Sequence, residues 1–141
     1  MFKPIKFLGI VALIIATVVM FSSCNKYERK IVGKWKIIKE KLDGSPYDSD
    51  EGETITFKDN GTCTIVFWGD ECDGDYSLSG ESLTIDAKYP YGKYTFTFDV
   101  EIKKSVMYLS GKCKDTYDDY YYDYYKGTDN YKVSYELEKM K

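Results

Sequence analysis

The sequence predicts an all-β domain, an eight-stranded antiparallel up-and-down barrel that follows an N-terminal export segment. Three observations predict it. After about Lys34, apolar and polar residues alternate in short runs, the period of strands with one buried face, and no run keeps the spacing of an amphipathic helix. Each run is followed by a connection short enough to return antiparallel beside its neighbour. Eight such strands in an open sheet would expose two edges, and closure into a barrel removes both. A sandwich or an open, strongly curved sheet is the alternative that the pattern leaves.

The predicted strands span residues 33–41, 53–58, 62–68, 74–79, 82–87, 93–102, 105–112 and 131–138. Trp35 and Ile37 face inward from the first, Ile55 and Phe57 from the second, and Cys63, Ile65 and Phe67 from the third. Tyr76 and Leu78 follow from the fourth, Leu83 and Ile85 from the fifth, and Tyr94, Phe96, Phe98, Val100 and Ile102 from the sixth. Met107 and Leu109, then Tyr131, Val133, Tyr135 and Leu137, complete the interior. Lys58-Asp59-Asn60-Gly61, Ser79-Gly80-Glu81 and Lys103-Lys104-Ser105 read as tight turns, whereas 42–53, 69–75, 88–92 and 113–130 read as longer loops. Alternate connections of a meander lie at the same end, so one mouth collects the tight turns and the other the long loops.

Ahead of the barrel stand Lys3 and Lys6, a 15-residue apolar run from Phe7 to Phe21, and Ser22-Ser23-Cys24. A basic start, an apolar centre and small residues before a cysteine form a secretory signal peptide of the bacterial lipoprotein type. The run falls short of the roughly 20 apolar residues of a membrane span. Phe21-Ser22-Ser23-Cys24 resembles a lipobox, with Phe where that pattern prefers Leu. The expected organisation is a signal peptide over 1–23, a lipidated tether over 24–32 and the barrel domain over 33–141. Cys24 would carry the acyl groups, palmitate among them, and tie the chain to a membrane of the cell envelope. Asn25 rather than Asp follows Cys24, which in the lipoprotein class implies the outer membrane. The tether lacks the acidic run of surface-export signals, which favours the periplasmic leaflet.

The chain has 141 residues, a net charge of −3 and no histidine. Without histidine there is no Ser-His or Cys-His nucleophile and no His-ligated metal site. No basic cluster has the density that nucleic-acid binding needs, and an exported chain is in the wrong compartment for it, so no nucleic-acid partner is expected. Nothing in the pattern places a carboxyl in an apolar pocket, and no catalytic residue, metal or cofactor is expected. Asp70-Glu71-Cys72-Asp73-Gly74-Asp75 invites a calcium reading, but it lacks the spacing of a 12-residue calcium loop and reads as an acidic surface turn.

Ile31-Val32-Gly33-Lys34-Trp35, followed by Glu53-Thr54-Ile55-Thr56-Phe57-Lys58-Asp59-Asn60-Gly61, resembles the start of a lipocalin, with Gly33 and Trp35 as the G-x-W signature. Together with Gly74 to Gly80 and Leu83-Thr84-Ile85, it is similar to the lipocalin-like domain of small lipoproteins of Gram-negative bacteria, over about residues 31–138. The resemblance implies a calycin-type barrel with an apolar interior and a non-catalytic binding role. Trp35 reads as the plug of the closed end.

Within that barrel, Phe96, Phe98 and Tyr135 are the candidate lining for a small apolar or amphipathic ligand. A second candidate is the loop Tyr117-Asp118-Asp119-Tyr120-Tyr121-Tyr122-Asp123-Tyr124-Tyr125, whose six tyrosines could stack on a glycan or meet a peptide or protein of the envelope. Fourteen of the 23 acids fall at the predicted long-loop end, and Lys26, Arg29, Lys30, Lys103, Lys104, Lys139 and Lys141 at the other. That division predicts a basic base near the membrane and an acidic mouth facing away. Of the cysteines beyond Cys24, Cys72 and Cys113 share the long-loop end and form the best candidate disulfide, with Cys63 a buried thiol. Three reduced thiols are the alternative.

Overall fold

The computed structural model describes residues 27–47, 52–67, 69–117 and 127–141. The signal segment, Cys24, Trp68 and the tyrosines at 120, 121, 122, 124 and 125 lie outside the described residues. One helical turn, α1 (Glu28–Ile31), leads into β1 (Gly33–Leu42) and a short β2 (Ser45–Tyr47). There follow β3 (Thr54–Phe57), β4 (Thr62–Phe67), β5 (Asp70–Ser79), β6 (Ser82–Tyr89), β7 (Gly92–Lys103), β8 (Val106–Tyr117) and β9 (Gly127–Lys139).

All neighbours are antiparallel, in the order β2-β1-β3-β4-β5-β6-β7-β8-β9, and β1 also pairs with β9 from Trp35↔Lys139 to Leu42↔Val133. The sheet therefore closes into the predicted eight-stranded barrel, built of β1 and β3 to β9. Inward positions alternate as expected: Phe96, Phe98, Val100 and Ile102 are buried along β7, and Val133, Tyr135 and Leu137 along β9. The three tight turns lie together at one end.

Three features differ from the sequence reading. First, Asp43-Gly44, at φ 50 and 82, makes a two-residue hairpin in which Leu42 faces Ser45. Positive φ at both central residues is the turn that Asp-Gly favours, and it converts the start of the expected 42–53 loop into β2. Second, 69–75 and 88–92 are not loops. Phe67 pairs with Asp70 and Tyr89 with Gly92, so each crossing takes two residues. Asp70–Asp75 lies in β5, with Asp73 opposite Thr64 and Asp75 opposite Thr62, and there is no turn there for calcium. A barrel's outer face is solvated, so a polar strand edge imitates a loop in the sequence. The acids of Asp73 and Asp75 accordingly sit on the outer wall, not at the mouth.

Third, β1 carries a bulge. Ile37 pairs with Leu137 and Lys39 with Glu136, leaving Ile38 as an extra residue, 39% exposed. A bulge shifts the side-chain phase of the strand beyond it. Trp35 and Ile37 point inward before it, and Glu40, opposite Tyr135, takes the inward phase after it, in place of Lys39 and Lys41.

Residues 27–31, read as tether from the sequence, belong to the fold. Tyr27 and Ile31 join the core, Ile31 N–H donates to the Tyr27 carbonyl at 2.8 Å, and the Trp35 indole N–H donates to the Ile31 carbonyl at 2.8 Å. Trp35 and Ile31 are fully buried. The turn is thus a plug for the closed base, and Trp35 satisfies its one donor inside it. Gly33, at φ 135, turns the chain from plug to strand, and a Cβ there would meet Lys139 Cε at 3.0 Å.

Candidate functional site

The open half of the barrel is built around an aromatic layer. Phe96 and Phe98 project from the same face of β7, ring centroids 5.3 Å apart, and Tyr135 from β9 stands 5.8 Å from Phe98 and 6.5 Å from Phe96. The three residues singled out from the sequence are therefore brought together and buried. They touch one another, so they form a floor more than the walls of a void. Phe67, at the end of β4, reaches across to that floor, 6.4 Å from Phe96 and 6.3 Å from both Tyr94 and Tyr135. Toward the mouth, Tyr94 stacks on Tyr89 at 4.5 Å. Phe67, Tyr89, Tyr94 and Tyr131 are only half-buried, so this layer keeps exposed aromatic surface.

Polar groups are set among these rings. The Tyr89 hydroxyl donates to Asp115 Oδ1 at 2.7 Å. Burial raises the Asp115 carboxyl above the ordinary range, the Tyr89 bond lowers it, and the charge of Asp129 raises it again. Burial first, then Asp115 and the nearby thiols, push the Tyr94 phenol up to about 12. The Tyr131 hydroxyl pairs with the Cys113 thiol and is raised by burial and by that bond.

The sequence did not expose the most unusual group, Glu40. Re-aimed by the bulge, its carboxyl is raised by burial, while hydrogen bonds to the side chains of Glu53 and Tyr135 lower it. Glu53 is itself 3% exposed, and its carbonyl accepts from Ile37 N–H at 3.0 Å. Tyr135 is pushed well up by burial and by the negative charge of Glu40. Two carboxyls within hydrogen-bonding reach share a proton more readily than two separate charges do. So burial raises a carboxyl that the sequence reading did not single out, beside a second carboxyl and a phenol. Its inward aim comes from the bulge, which sets the eight residues Trp35 to Leu42 against the seven residues Val133 to Lys139.

Tyr117 ends β8, and its hydroxyl contacts Asp129 Oδ2 at 3.4 Å; of the tyrosine-rich loop it alone is described. Cys63, Cys72 and Cys113 are buried free thiols, the alternative that the sequence left beside a Cys72–Cys113 bridge. Cys72 is on β5 and Cys113 on β8, with β6 and β7 between them. At roughly 4.8 Å per strand that separation is about 14 Å along the sheet, beyond the roughly 7 Å a disulfide spans. Burial pushes Cys63 and Cys113 up to about 11. Among the described residues no group of three or more His, Cys, Asp or Glu side chains is placed to hold a metal ion.

A barrel of eight strands plugged at its base by α1 and Trp35, with an aromatic floor toward the other end, defines a calycin-type architecture. The family described as a lipocalin-like domain matches residues 31–109, more than half of the chain, and the chain belongs to that family. No curated protein matches it, and no solved structure does.

Proposed function

We propose that this is a lipid-anchored, non-catalytic binding protein of the cell envelope that takes one small apolar or amphipathic molecule at the open end of its barrel. The anchor is Cys24, acylated after removal of residues 1–23, and the outer membrane, on its periplasmic leaflet, is the site. The observation that carries the binding reading is the half-exposed layer of Phe67, Tyr89, Tyr94 and Tyr131 over the floor of Phe96, Phe98 and Tyr135. Apolar rings with a few fixed polar groups are what small-ligand sites are made of. The hydroxyls of Tyr89 and Tyr94 and the carboxyls of Asp115 and Glu40 supply those groups for a polar head, while the rings take an apolar body.

Native mass spectrometry of the mature protein from its own envelope tests this reading. A discrete extra mass that disappears on denaturation is expected. A bare chain mass, together with no retention of fatty acids, sterols or other amphiphiles added back, would overturn it in favour of an interaction module working through the loops.

A further inference from the structure

The folded domain starts sooner after Cys24 than the sequence implies. Tyr27 is already in the core, 5% exposed, and α1, closed by its own Ile31 N–H to Tyr27 bond, is tied to the barrel by Trp35 at the Ile31 carbonyl and by Lys139 Nζ, 3.4 Å from the Lys30 carbonyl. Only Asn25 and Lys26 separate Cys24 from Tyr27. Three residue steps of extended chain reach roughly 11 Å at most.

The face brought to that distance is the closed base. It exposes Arg29, Lys30, Lys103, Lys104, Lys139 and Lys141. The C-terminal residues are tied into the same face, because Lys139 N–H donates to the Ser105 carbonyl and Met140 N–H to the Lys34 carbonyl, both at 2.8 Å. Acids are present as well, Glu28, Asp59 and Glu101 among them, and Glu101 lies 3.1 Å from Lys103. Glu81 and Glu138 are exposed at this end too, so acids offset much of the positive charge, and Lys30, Lys139 and Lys141 carry what remains of it. Charges act over about 8 Å at physiological ionic strength, so a tether of this reach keeps the base within range of a headgroup layer.

We propose that the closed base is a docking surface for an anionic lipid bilayer, which holds the barrel upright with its aromatic mouth turned to the aqueous side. The inference rests on acylation of Cys24. In that posture the ligand arrives from the aqueous compartment or from a facing membrane, not from the leaflet that carries the anchor, because α1, Trp35 and Lys139 close the route from below.

The test uses the mature lipidated protein, its acyl mass first verified by intact mass spectrometry, in vesicles with headgroup-labelled acceptor lipid. One fluorescent donor is placed at the base through Ser105→Cys and, in a separate sample, at the mouth through Tyr91→Cys, both exposed turn positions. In vesicles containing phosphatidylglycerol, transfer from position 105 should exceed transfer from position 91 at least threefold. That ratio should fall at least twofold in neutral phosphatidylcholine vesicles and on exchanging Lys30 and Lys141 for Glu. Lys103→Glu with Lys104→Glu serves as an independent pair, each variant checked for a native circular dichroism spectrum. Equal transfer from both positions, or a ratio that neither neutral lipid nor the exchanges change, overturns the docking while leaving the anchor intact. A mature protein without acyl mass overturns the anchor reading and the docking with it.

Discussion

Lys139 closes the base of the barrel over Trp35: its Nζ lies 5.4 Å from the indole ring centroid while its backbone pairs with Trp35 across β1 and β9. The same ammonium reaches the Lys30 carbonyl of the plug. One side chain therefore fastens the last strand, the first strand and the helical turn to one another.

The contributions of the two residues differ widely. Trp35→Ala should destabilise the domain by about 3–5 kcal/mol, the range for removing a large buried aromatic. Lys139→Met keeps the aliphatic cover and loses the charge, and should cost about 1 kcal/mol or less. Urea unfolding followed by circular dichroism measures both.

Two glycines should resist substitution for different reasons. Gly33→Ala meets backbone strain at φ 135 and the Lys139 side chain, which can move aside, so a loss of about 1–3 kcal/mol is expected. A Cβ at Gly111 would run into the Thr97 carbonyl and Phe98 Cα of the paired strand, which cannot move without opening the ladder. Gly111→Ala should cost more than Gly33→Ala in the same unfolding assay.

The raised pKa of Glu40 fixes a sign for pH dependence. The folded state holds this proton more tightly than the unfolded chain, whose carboxyl titrates near the ordinary 4.5. The associated stabilisation is fully present below that value and is lost as pH rises through the folded one. Glu40→Gln should therefore flatten the loss of thermal stability above about pH 4.5 and raise the midpoint at pH 8 more than at pH 4.

The thiols should be inert until the barrel opens. With Cys63 and Cys113 pushed up to about 11 and all three side chains buried, iodoacetamide at pH 7.5 should leave them unmodified in buffer. In denaturant without reductant it should add three carbamidomethyl groups to residues 63, 72 and 113. A protected pair under those conditions would reveal a bridge.

Most of the barrel was legible because its inward residues keep an unbroken period of two. From Tyr94 to Ile102 and from Tyr131 to Leu137 the alternation alone gives strand, face and partner order. The candidate floor of Phe96, Phe98 and Tyr135 follows from the same pattern. What the pattern misses is any residue whose phase is set by geometry instead of polarity. Glu40 looks like one more outward charge between Lys39 and Lys41, and only the extra residue at Ile38 turns it inward. Asp73 and Asp75 show the converse, since a solvated strand face reads as a loop when Gly74 separates two acids. The plug was missed because Tyr27 and Ile31 are two apolar residues in a charged stretch, and their burial depends on a pocket that distant strands create.

Barrel closure also sets the order in which the chain can fold. The pairing of Trp35 with Lys139 joins the first and last strands of the barrel, and contacts so distant in sequence form slowly. Until β9 docks, β1 and β8 each present an unsatisfied edge, and Phe96 and Phe98 lack Tyr135 across the floor. Closure is therefore a late step of folding, and the open sheet that precedes it is the species most exposed to pairing with another chain.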